Sequence, residues 1–108
     1  MDRKISIAAD FSKYPSGRYR KNGRGSGEEF REEFLLPPLR EGASIEVSFK
    51  GAYGYPASFV EEAFGGLIRA GVGLDAIEQH LTLIPGSDEY EVYVSQAWRY
   101  IRDAAKVR

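Results

Sequence analysis

Three short runs in which apolar and polar residues alternate, KISIAADF (Lys4 to Phe11), ASIEVSF (Ala43 to Phe49) and HLTLI (His80 to Ile84), are each followed by a segment of helical periodicity. Strands that alternate with helices point to a mostly parallel sheet joined by right-handed crossovers. The order is therefore β-α-β-α-β-α, and the fold class is α/β. Ile5, Ile7 and Ala9 share one face of the first strand, and Ile45, Val47 and Phe49 one face of the second. A first helix is expected over about residues 28–36, stopped by Pro37-Pro38. A second runs from Ser58 to near Gly71 on the apolar row Val60, Ala63, Phe64, Leu67 and Ile68. LDAIEQ reads as a single helical turn. The last helix opens after Ser87, a good N-cap, with a stripe through Tyr93, Ala97, Trp98 and Ile101. Three strands make a narrow sheet, so one face would be thinly covered, an edge strand from GRYR is conceivable, and a homodimer is reasonable.

At 108 residues the chain fits one domain spanning residues 1–108, able to bury roughly two thirds of its unfolded surface. A net charge of -1 makes nucleic acid an unfavoured partner. With no cysteine and one histidine, disulfides, thiolate chemistry and zinc centres are not expected, and no cofactor or metal is. No apolar run approaches a membrane span of roughly 18 residues, and the N-terminus lacks a signal-peptide core. The chain reads as cytoplasmic. His80 has no acid partner in sequence and reads as structural, and Asp10 reads as a turn cap in preference to a metal ligand. No nucleophile and base stand at a promising spacing, so no catalytic residue is assigned and the chain is not expected to be an enzyme.

Two S-x-x-E patterns stand out, Ser26 to Glu29 and Ser58 to Glu61, each the signature of a capping box. On that pattern Ser58 Oγ accepts from the Glu61 amide, and the Glu61 carboxylate returns to the Ser58 amide. The same serine would stand at the carboxyl end of the second strand, the rim at which α/β sheets meet ligands and partners. A glycine pair, Gly65-Gly66, costs roughly 1 kcal/mol per residue in a helix interior, which close backbone packing would offset. Between Lys13 and Arg24 lie five cations and no acid. The run NGRGSG then enters a helix, making Ser26 and Gly27 a candidate anion site through backbone amides.

The segments SGEEFREEFLLPPL and GYPASFVEEAFGGLIRAG, in a frame opening ISIAADFSKYPSGRY, resemble the STAS-like domain family of unknown function, a distant relative of the STAS domains of anti-sigma-factor antagonists. The resemblance implies a non-enzymatic regulatory module. In STAS domains a serine at the start of the helix after a central strand is phosphorylated by a partner with a histidine-kinase-type ATPase fold, and this controls docking. The matching position is Ser58, although Ala57 and Phe59 replace the usual Asp-Ser-Ser/Ala-Gly context. The expected docking edge comprises Phe59, Glu61 and Glu62, flanked by Arg18, Arg20 and Arg24. The alternative is a nucleotide- or nucleic-acid-phosphate-binding domain that uses the basic glycine-rich loop 17–27.

Overall fold

The computed structural model describes residues 2–107. Strands β1 (Arg3–Ser6), β2 (Ile45–Ser48) and β3 (Leu81–Ile84) form one parallel sheet in the order β1-β2-β3. Strands laid down in sequence order with crossovers of one hand place both crossing helices on one face. Helix α1 (residues 27–40), helix α2 (residues 57–69) and the terminal α4 (Glu91–Lys106) pack side by side, with α2 in the middle and the short α3 (Leu74–His80) leading into β3.

The sheet is therefore two-sided in chemistry. Ile5, Ile45, Val47, Leu81 and Leu83 point under the helices and are buried. The other face carries Lys4, Glu46 and Thr82 in one register row and Ser6, Ser48 and Ile84 in the next, all exposed or half-exposed. Parallel strands are usually covered on both faces and read as continuous apolar runs. The alternation that made these strands legible is the mark of a sheet covered on one. Phe30, Phe49, Phe59 and Phe64 are fully buried between the layers. Each contributes about 1.5–3 kcal/mol by leaving water.

Several boundaries differ from expectation for identifiable reasons. The first strand ends at Ser6, not Phe11, because Ser6 and Asp10 cap each other. Ser6 Oγ accepts from the Ala9 amide at 3.1 Å and Asp10 Oδ2 from the Ser6 amide at 2.7 Å, winding Ile7–Phe11 into one wide turn and leaving Ala9 exposed. The first helix does not stop at Pro37-Pro38 but runs to Arg40. A widened turn at Arg31–Leu35, with the Leu36 amide bonded to the Arg31 carbonyl, restarts the helix so that the prolines fall in its first turn, where no amide is needed. GRYR is not an edge strand, since Arg20–Asn22 is a 3-10 turn. His80 closes α3 instead of opening β3, and its Nδ1 lies 3.1 Å from Ser44 Oγ. Ser87 makes no side-chain cap. Its hydroxyl donates to Glu89, and a 3-10 turn at Asp88–Tyr90 precedes α4.

The glycine pair does serve close packing. A methyl at Gly65 would stand 3.3 Å from the Tyr100 carbonyl of α4, and one at Gly66 would overlap the Arg31 guanidinium of α1. The pair fits α2 between its two neighbours.

Candidate functional site

The loops that leave β1 and β2 meet at the carboxyl end of the sheet, where the Tyr53 amide donates to the Lys13 carbonyl at 2.9 Å. The β2 loop then turns into α2 through Pro56, whose extended backbone (φ -58, ψ 146) occupies the N-cap position. Ser58 is thus the second helical residue and not the cap. Its half-exposed hydroxyl has no hydrogen-bond partner among the described residues, and the expected capping box around it does not form. The first bond of the helix runs from the Val60 amide to the Pro56 carbonyl, so the amides of Ala57, Ser58 and Phe59 have no acceptor among the described residues.

Glu61 and Glu62 are taken by arginines. Arg18 reaches down from the basic loop to Glu61 at 2.5 Å and Glu62 at 3.1 Å, and Arg69, two turns along α2, forks onto Glu61 at 2.8 and 2.9 Å. Arg31 of α1 donates through one nitrogen to both the carboxylate and the backbone carbonyl of Glu62, each at 2.7 Å. Burial pushes the Glu61 carboxyl up, but hydrogen bonds from Arg69 and Arg18 outweigh it and hold the group below the usual carboxylate value. The same bonds raise Arg18 and Arg69, and for both the largest cause is Glu61. The Arg31–Glu62 pair is almost fully buried, and Arg31 Nε has no partner among the described residues. Such a pair is costly to break from one side.

The expected docking edge is therefore corrected. Phe59 is fully buried in the aromatic core and Glu62 nearly so, which removes both from any recognition surface. Glu61 and Arg18 face each other instead of a partner. Arg20 is tied to Glu32 at 3.3 Å and Glu33 at 3.0 Å. The side chains of Arg24 and Lys13 are exposed and have no counter-charge among the described residues. The glutamates of α1 are the counter-charges of the basic loop: Glu32 and Glu33, both exposed, pair with Arg20, and Glu28 accepts from its amide.

The anion site at Ser26 and Gly27 is corrected as well. Ser26 is fully buried, and its hydroxyl accepts from the Glu29 amide at 3.1 Å, while Glu29 returns to the Gly25 amide at 3.2 Å. The Gly27 and Glu28 amides donate to the carbonyls of Gly17 and Arg18. These amides are spent, so the helix start at Ser26 and Gly27 has none of them free for an anion. Gly27 is a crossing point instead. A methyl there would come within 2.6 Å of the Phe59 carbonyl and 3.0 Å of the Ala63 amide, both on α2.

Two features were missed. Arg31 lies in the apolar stripe of α1, between Phe30 and Phe34, and a charge in such a stripe signals a buried partner. Tyr53 and Tyr14, on the two meeting loops, stack with ring centroids 4.9 Å apart and planes 9° apart, although they are 77% and 68% exposed. No short-range pattern foretells that pairing. Among the described residues no three His, Asp or Glu side chains gather to hold a metal ion.

The rim and α2 fall within a stretch that known proteins share. The profile of a family described as a STAS-like domain of unknown function matches residues 26–91, from the cap of α1 to the first residue of α4. The chain belongs to this family. The matched part of the STAS-like domain contains both S-x-x-E helix starts, Arg31, Glu61, Glu62 and Arg69. It excludes β1 and residues 17–25 of the basic loop, so Tyr14, Arg18, Arg20 and Arg24 lie outside the matched stretch. No curated protein and no solved structure is detectably similar to the chain. Among the described residues no helix of this STAS-like domain is long and apolar enough to cross a membrane.

Proposed function

We propose that this STAS-like domain is a non-catalytic regulatory module that docks a protein partner of the histidine-kinase-type ATPase class, with phosphorylation of Ser58 controlling the encounter. The observation that carries the reading is the state of Ser58. It is a helix-start hydroxyl at the rim of the central strand, released from capping by Pro56, with open amides on either side. A phosphoryl group there would bring about -1.5 to -2 charge. The helix start favours an anion by ~0.3–1 kcal/mol. The neighbouring glutamates oppose it little, because Arg18, Arg31 and Arg69 already neutralise them. The modification therefore changes what a partner meets more than it changes the fold.

The test is direct. The purified domain is incubated with ATP and a histidine-kinase-type ATPase from the same genome, then digested and weighed by mass spectrometry. Phosphate on the peptide holding Ser58, abolished by Ser58→Ala, is the expected result. Phosphate confined to other residues, or none with any such ATPase of that genome, contradicts the reading.

A further inference from the structure

The tyrosine stack at the rim exposes two large aromatic rings side by side. Its two rings come from different loops, yet the geometry is fixed. The Tyr53 amide is bonded to the Lys13 carbonyl, and the Tyr14 amide to Ser12 Oγ at 2.9 Å. Gly25 underlies the turn at φ +82, where a side chain would be strained and its Cβ would crowd the Tyr14 carbonyl at 3.2 Å. Rigid aromatics that are ordered but solvated give contact area at little entropic cost, the property of binding hot spots.

A shallow, open groove of about 490 Å³ lies beside the stack, lined by Tyr14, Pro15, Ser16, Tyr53, Tyr55 and Pro56. The Tyr55 hydroxyl is spent on the Phe49 carbonyl at 2.6 Å, and burial pushes its phenol well above the ordinary value. The groove is therefore an apolar slot. On the other side of Tyr14 a second hollow of about 430 Å³ is lined by Arg24 and Glu29; the Glu29 carboxylate accepts from the Gly25 amide, the Arg24 guanidinium is unpaired among the described residues, and the exposed Lys13 precedes Tyr14 in sequence. The slot suits an extended segment whose prolines lie on the rings, as aromatic-lined grooves take polyproline helices. The flanking cations suit an acidic residue beside those prolines. A nucleic-acid strand fits less well, since no asparagine, glutamine or aspartate lines the slot to read a base edge.

We infer that the Tyr14–Tyr53 groove is a docking site for an extended, proline-containing acidic segment of a protein partner. The inference deepens the docking reading and rests on it, adding a contact surface beside Ser58 and naming its chemistry.

A phage-displayed library of random peptides is selected on the full domain, and enriched peptides are then measured by fluorescence anisotropy. Enriched sequences should carry proline together with net negative charge. The Tyr14→Ala/Tyr53→Ala variant should keep the wild-type melting temperature and lose about tenfold in affinity, and Arg24→Glu should weaken binding and reduce its salt dependence. The inference is overturned by a selection that enriches nothing, by enriched peptides without proline or acid, or by undiminished binding to the double variant. Displacement of the peptide by a short oligothymidylate at equal concentration would assign the groove to single-stranded nucleic acid instead. None of these failures touches phosphate transfer to Ser58, which is scored without any peptide.

Discussion

Ser26 and Ser58 begin the same four-residue pattern, yet one is a capping serine and the other is not. Before Ser26 the chain arrives extended (φ -76, ψ 158 at the serine itself), so its hydroxyl faces the amide three residues on, and Glu29 folds back over the start. Before Ser58 the dipeptide Tyr55-Pro56 places the extended residue two positions earlier. The helix is already under way at the serine, whose hydroxyl cannot turn back on its own first turn. The glutamates differ in the same sense. Glu29 has only a backbone amide to answer, whereas Glu61 lies between Arg18 and Arg69. One start is closed and buried. The other is left open at the rim, and its acids are turned inward to hold the loop and α1. A capping signature thus specifies the pattern of groups, and the residue before it decides whether they meet.

The contrast can be broken most forcefully through the pair that joins the two helices. Glu62→Ala leaves the buried Arg31 guanidinium with only the exposed Glu32, 3.6 Å from its other terminal nitrogen, and should destabilise the domain by ~3 kcal/mol in urea unfolding. Adding Arg31→Met should recover much of the loss, because an apolar side chain of similar length fills the slot opened by Gly66. A double variant as unstable as the single one would mean that the arginine is held by something other than Glu62.

A smaller effect separates Glu61 from Glu29 by acid. The folded value of Glu61 lies below that of the unfolded chain, so the stability it confers is fully present above the ordinary carboxylate value, about 4.3. That stability is lost as pH falls from there through the folded value. Glu61→Gln should therefore cost stability near neutrality, flatten the fall in melting temperature below about pH 4.3, and loosen the Arg18 loop in hydrogen exchange. An acid limb identical to wild type would show that the arginines do not depend on that charge.

Much of the fold could be read from the chain because its sheet is covered on one face only. The alternation of Ile45, Val47 and the residues between them carries the period of a half-buried strand, and the stripe of α4 the period of a packed helix. The site was less legible, for a reason common to each correction. Phe59 and Glu62 stand beside Ser58 in sequence, but successive residues of a helix point to different sides. Their burial depends on α1 crossing at Gly27, a contact between residues more than thirty positions apart. The pairing of Arg18 with Glu61 is likewise made only when the loop after β1 folds onto α2, and that of Tyr14 with Tyr53 only when the loops after β1 and β2 meet. The arginine in the stripe of α1 was the one long-range clue in plain view.

The difference between the two hydroxyls is tested most directly by paired thermal melts of Ser26→Ala and Ser58→Ala. Loss of a working N-cap costs ~0.5–2 kcal/mol. In a domain of this size each kcal/mol is worth about 4–8 °C. Ser26→Ala should melt several degrees below wild type, and Ser58→Ala should be indistinguishable from it. A Ser58→Ala domain that melts as low as Ser26→Ala would contradict the account, for that hydroxyl would then be holding its helix and not standing free at the rim.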